Sequence, residues 1–521
     1  MPNHNKDLQN PLKHEIAKSS FIVTVFTILG LGLSFLSSII IAAKFGAGEH
    51  MDVFWASTTL PLFIITILSG SLNFTFIPVF AEYRTKNSPE TWQVVSSFIN
   101  LNIIVSIALC IIGVLTAYPL MSVITPGFSH EKLLKASELL RWLFPIIVFT
   151  LINELLASVY YSNRRFIIPS LNKIISPGIT IIYVLLFHNS LSTKSIVLAM
   201  LTASFIQMFL LVIGFLKKKE FNYSLTLNFA HPGVLKILKL MTPLVLGMTL
   251  YSAVPLVDRF ILSTLTTGSI SHIGYAMKLL SAITPVIASG IAISVFPIMS
   301  TYAAEKNWVE FKKIINKSVR MLFFMSIPFV VLFGLYGKPI IQLFFERGAF
   351  KSIDTIAVYS AFAIYLISLP AIVIGSIISQ SFYALQETKI IALIGVLMII
   401  LYIILCVSLV GSLSYLAIPI SYAIYSNCTI LTTTIVLKNK IKKLWPPLML
   451  FLGKSSITAL LSAGIVYPLM KFTSNNILTT PIVCALGFFL YFIIGKFLFS
   501  LEEPDLILQL LKNKIFKRAN S

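Results

Sequence analysis

Apolar residues in this chain gather into long runs with few polar interruptions. The runs lie near 20–43, 53–80, 94–118, 136–161, 167–187, 195–216, 238–263, 271–299, 319–342, 355–384, 390–411, 414–436, 447–470 and 478–500. About 20 apolar residues in a helix cross the hydrocarbon layer of a bilayer. The pattern therefore predicts an all-α polytopic membrane protein with fourteen spanning helices. Several runs exceed the minimum length, which predicts tilt or bending, with Pro61, Pro285 and Pro370 as the bending points. The connections are short, so no soluble domain interrupts the series. A chain built almost wholly of spans reads as a carrier rather than an enzyme.

Composition agrees with the pattern. Of 521 residues, 57% are hydrophobic and 11% charged, against about 25% charged in soluble proteins. The net charge of +21 is a matter of placement. With the N-terminus inside, Lys6, Lys13, Lys18, Arg84, Lys86, Arg164, Arg165, Lys217–Lys219, Lys312, Lys313, Lys438 and Lys440 share one side with the C-terminal cluster. The opposite side holds few, among them Lys44, Lys132, Lys135 and Lys338. The positive-inside rule then puts both termini in the cytoplasm. Topology accounts for the basicity, and no nucleic-acid partner is needed. Cys110, Cys406, Cys428 and Cys484 all lie within spans at no metal-binding spacing. No metal site and no cofactor are expected. No phosphate-binding GxxxxGK[ST] loop is present, so energy is expected from an ion gradient or the membrane potential. The latter supplies about 2.3 kcal/mol per charge per 100 mV.

An internal similarity suggests the organisation. Span 2 and its loop read Pro61…Ser69-Gly70…Ile77-Pro78-x4-Tyr83, and span 8 and its loop read Pro285…Ser289-Gly290…Phe296-Pro297-x4-Tyr302. An offset of six spans predicts two parallel six-helix lobes related by an axis along the membrane normal, a plan known among transporters. The expected divisions are a cytoplasmic segment 1–19, an N-lobe 20–216 and a cytoplasmic linker 217–237. A C-lobe 238–436, helices 13 and 14 at 447–500, and a cytoplasmic amphipathic tail 501–521 follow.

Charges inside the spans are the candidate chemistry, because an ionised side chain at a span centre is costly and so marks a function or a pair. Asp258 and Arg259 fall in span 7, and Lys278 falls early in span 8. Tyr275, three residues before Lys278, shares its helix face. Lys278 and Arg259 are expected to line a cavity, with an Asp258–Lys278 or Asp258–Arg259 structural pair as the other outcome. Lys173 in span 5 can pair with Glu154 in span 4 as a structural ion pair, or the two can serve the cavity. Asp52, Pro61 and Gly70 in span 2 are read as structural or as cavity residues. Lys44, Glu387 and Lys454 lie near span ends, where they can snorkel.

Several segments stand out along the chain: Lys44-Phe45-Gly46-Ala47-Gly48, Met51-Asp52-Val53-Phe54 with Leu60-Pro61 and Gly70, and Phe76–Tyr83. Val257-Asp258-Arg259, Gly268–Ser271, Tyr275-Ala276-x-Lys278-Leu279, Glu346–Phe350 and Phe382–Lys389 follow. In these residues and this order the chain resembles the MurJ (MviN) lipid II flippase family, within the superfamily of multidrug, oligosaccharidyl-lipid and polysaccharide exporters. The resemblance implies a V-shaped, two-lobed carrier of the bacterial cytoplasmic (inner) membrane that alternates access. Its cargo would be an undecaprenyl-pyrophosphate-linked cell-wall precursor, with cavity cations at the diphosphate and the lipid tail near helices 13 and 14. Membrane lipids and glycan-synthesis enzymes are the implied partners. One departure stands out. Family members carry arginines in helix 1 and in the helix 2 segment after Leu-Pro, but here span 1 (Phe21–Ala43) has no charge, and Leu62–Ile67 has no arginine. The leading reading is a lipid II-like flippase. Export of another lipid-linked saccharide, multidrug export and a non-transporting scaffold for glycan synthesis are the alternatives.

Overall fold

The computed structural model describes residues 4–85, 90–163, 165–217, 222–441, 448–472 and 479–505. Helices are the regular elements among them. Among the described residues, twelve helical stretches are long and apolar enough to cross a membrane, and thirteen if one bent pair counts as a span. The longest, Thr388–Ile441, is 54 residues, nearly three times what a bilayer core needs. It consists of two successive helices that pack on each other.

The chain divides after Ser271 into two compact units. The first contains α1 (His4–Phe45), α2 (Glu49–Thr85), α3 (Thr91–Leu115), α4 (Ala117–Ile124) and α5 (His130–Leu143). It continues with α6 (Pro145–Ser162), α7 (Ile167–Leu191), α8 (Lys194–Leu216), α9 (Pro232–Ser252) and α10 (Val254–Leu262). Helix α2 is its axis, packed by α5, α6, α9 and α10, while α1, α7 and α8 stack in series and α8 joins α6. Helix α11 (Ser269–Ala304) starts at the end of this unit. The second unit carries it onward, with α12 (Trp308–Phe345), α13 (Ser352–Leu366), α14 (Leu369–Ala384), α15 (Thr388–Leu413), α16 (Ala417–Ile441), α17 (Leu448–Phe472) and α18 (Thr480–Phe497). Helix α12 is central here, touching α13, α14, α17 and α18. The unit boundary follows contact density. The repeat boundary at 217–237 follows sequence similarity, so the two need not coincide.

Prolines break three spans, each in the first turn of the second piece, where the missing N–H would have no helical partner in any case. Pro145 starts α6, Pro255 lies at the start of α10 and Pro370 at the start of α14. Helices α13 and α14 meet at 41°. Bending was expected at Pro61 and Pro285 too, but both lie inside helices that run on without a break, α2 and α11. These two helices match in length, 37 and 36 residues, and each holds two internal prolines. The polar N-terminal segment is helical from His4, where α1 begins.

Helices 13 and 14 of the sequence reading are α17 and α18. Phe324 of α12, Phe451 and Ala459 of α17, Tyr491 of α18 and Leu501 form one buried cluster. The Tyr491 hydroxyl donates to the Phe324 carbonyl at 3.0 Å. Arg320 of α12 donates from Nε to Glu503 Oε1 at 2.7 Å and lies over the Phe451 ring at 4.7 Å. The start of the expected amphipathic tail is therefore docked on the helices; residues 506–521 lie outside the described residues.

Candidate functional site

Asp52 receives three hydrogen bonds at the start of α11. Its Oδ2 accepts from Gly268 N at 2.6 Å, and Oδ1 accepts from Ser271 N at 2.8 Å and Ser271 Oγ at 2.6 Å. The first helical N–H groups have no partner within their own helix. Gly268 precedes the helix with φ 97, a backbone state that favours glycine, and glycine brings no side-chain acceptor. Asp52 supplies one from α2. The carboxylate also lies in the first turn of α2, so its charge faces the positive dipole ends of two helices. Asp52 is thus a cap, 3% exposed. Two segments quoted for the family resemblance, Met51–Phe54 and Gly268–Ser271, are the two halves of one joint.

Arg259 and Asp258 are both buried on α10. Arg259 Nε donates to Thr59 Oγ1 of α2 at 3.3 Å, so the guanidinium is held against α2. Thr59 and Ser57 precede Pro61, and Ser57 Oγ bonds Val53 O and Ala136 O at 2.7 and 2.9 Å. This hydroxyl-rich turn had no sequence signal beyond its nearness to the proline. Pro61 itself is buried in α2.

Two glycines of this unit differ in what they permit. A Cβ on Gly70 would come within 2.8 Å of Met248 Sδ on α9, the mobile end of a flexible chain. A Cβ on Gly127 would run into the Ser263 carbonyl and Thr264 Cα, which are backbone. Gly127→Ala is therefore expected to lower stability by about 2–3 kcal/mol, and Gly70→Ala by less than about 1 kcal/mol. Thermal melting of the two variants in detergent checks the order; equal melting temperatures would refute it.

A Lys173–Glu154 pair was one of the two readings of Lys173. Its Nζ instead donates to Thr27 Oγ1 of α1 at 2.7 Å. The reason is helix placement: α7 packs on α1 along its length. Glu154 is half-buried on α6.

In the second unit, Tyr275 and Lys278 part company. Tyr275 is 2% exposed and its ring lies edge-on to Phe345 and Phe350, with centroids 6.1 and 5.6 Å away. It is a packing residue that joins two more of the family-like segments, Tyr275–Leu279 and Glu346–Phe350. Lys278 is exposed, and no described residue of its unit hydrogen-bonds or ion-pairs with it. Three residues along a helix turn a side chain by about 60°, enough to carry one from core to surface. Nearby, His272 Nε2 lies 3.0 Å from Asp354 Oδ1, while Asp354 Oδ2 accepts from Lys351 N at 2.9 Å and caps α13. Glu387, expected to snorkel, forms an ion pair with Lys440.

The arrangement suits holding an anion. No group of three or more His, Cys, Asp or Glu among the described residues is placed to hold a metal ion. A bare ammonium on a spanning helix offers three N–H donors and a full charge; what it suits is an anion brought to it.

A sequence model of the family described as lipid II flippase MurJ matches residues 41–486. A probable lipid II flippase MurJ from Buchnera aphidicola subsp. Acyrthosiphon pisum (strain APS) is 29% identical over 384 residues, covering 72% of this chain and 74% of that protein. Among solved structures, a lipid II flippase MurJ in an inward closed conformation superposes with TM-score 0.79 at 24% identity, covering 94% of this chain and all of the other. An inward-facing multidrug MATE transporter has the same fold at TM-score 0.68 and 15% identity, covering 80% of this chain and 95% of its own. With the greater part of its length matched, this multi-pass membrane protein belongs to the MurJ lipid II flippase family.

Proposed function

We propose that this chain translocates a polyprenyl-diphosphate-linked saccharide, lipid II or a close relative, across the bacterial cytoplasmic membrane by alternating access. It acts as a transporter and makes or breaks no covalent bond. The carrying observation is Lys278, a cation on a spanning helix with no partner among the described residues of its unit, in a chain from this family. A bilayer penalises such a charge by about 2.5–3.5 kcal/mol at a helix centre, and a diphosphate is the kind of ligand that offsets it. Counting α15 and α16 separately and α13–α14 as one gives fourteen spans, with both termini inside by the distribution of Lys and Arg. Membrane potential or an ion gradient resets the carrier. The lipid tail lies along α17 and α18, and the glycan-synthesis enzymes that supply the cargo are its natural neighbours.

The uncharged stretch Phe21–Ala43 favours a second reading, in which the saccharide differs from that of lipid II. Complementation separates the two. In a strain depleted of its own lipid II flippase, this chain is expected to restore growth. Continued lysis despite normal membrane levels would favour the other saccharide.

A further inference from the structure

Lys173 carries an ammonium into a spanning helix, where its partner among the described residues is a neutral hydroxyl. It lies six residues into α7, about 9 Å along the axis. The Thr27 hydroxyl that accepts from it donates in turn to Val23 O at 2.6 Å. That bond occupies one of the three ammonium donors, and no acidic side chain among the described residues pairs with the charge. Simple snorkelling would draw the side chain toward the helix end. Here it is tied sideways to the neighbouring helix and remains exposed.

Two backbone features set this placement. Pro177 lies inside α7 and has no N–H, so the carbonyl four residues earlier, that of Lys173, loses its helical donor. Gly30 of α1 faces that carbonyl, and a Cβ there would lie 2.7 Å from Lys173 O and 2.9 Å from Lys173 Cβ. The proline and the glycine together let α1 and α7 approach at Lys173. The ammonium is thereby laid across Phe21–Ala43, a span with no charge of its own.

We infer that Lys173 is a phosphate-contacting residue for the lipid-borne diphosphate, on the α1–α7 face of the first unit. The inference rests on the flippase reading above. The shared chemistry is a phosphate ester on a lipid, and the cargo's diphosphate is favoured over a phospholipid headgroup because its charge is denser and Lys173 lies two turns inside the helix.

The test is binding of undecaprenyl diphosphate by the intact protein in phosphatidylcholine nanodiscs, with a parallel set containing phosphatidylglycerol. Lys173→Gln is the chief variant, since it keeps a donor for Thr27 and removes the charge. It is expected to bind undecaprenyl diphosphate about 10-fold more weakly, to melt like the parent, and to be restored by Lys173→Arg. Binding equal to the parent's would overturn the inference and leave the flippase reading standing. Loss of the difference once phosphatidylglycerol is present would assign Lys173 to phospholipid headgroups and also overturn it. A parent protein that binds no diphosphate lipid would instead overturn the flippase reading. If Lys173→Gln melts lower, Thr27→Val decides the matter: it removes the tether and keeps the charge, so matching loss of binding in both variants would show a structural role.

Discussion

Asp52→Ala is expected to destabilise the first unit by about 2–4 kcal/mol, through loss of a cap and of the acceptor for buried donors. The three bonds at 2.6–2.8 Å to Gly268 and Ser271 have no substitute nearby on the α11 side, because Gly268 has no side chain. Asp52→Asn keeps one carbonyl acceptor and should fall between the two. Thermal melting in detergent gives the answer. Unchanged melting with lost transport would move Asp52 from cap to cargo site.

Lys278→Met carries the largest expected effect on transport. The substitution preserves length and apolar stem while removing the charge. A hydrogen bond to a charged group contributes about 1.5–3 kcal/mol, so removal should slow cargo translocation by roughly 10- to 150-fold. Lys278 makes no bond to a described residue of its unit, so membrane insertion and melting should stay at the parent's level. Lys278→Arg should retain most activity, since it keeps the charge and donor capacity. Parent-like transport by Lys278→Met would remove this residue from the site.

The spans were legible in the sequence because the bilayer fixes their length and excludes charge from them. Faces of helices were not. In a soluble protein the apolar stripe marks the core, but lipid-facing residues here are as apolar as buried ones: Leu393, Leu397 and Ile404 of α15 are exposed, while Ile394 and Ile399 are buried. Periodicity therefore could not show that Tyr275 turns inward and Lys278 outward. The cap formed by Asp52 was hidden for a different reason. Its partners lie 216 and 219 residues away, and a capping box is recognisable only when both halves are local. The family-like segments marked both halves without showing that they meet. For Lys173 the sequence offered Glu154 as a near acidic neighbour, whereas Gly30 and Pro177 bring α1 to it instead.

The central claim is tested most directly by translocation itself. The purified protein, reconstituted in liposomes holding fluorescent lipid II in one leaflet, should move it to the other under an imposed membrane potential, and Lys278→Met should do so far more slowly. Lipid II confined to its starting leaflet, with the protein folded and inserted, would contradict the account.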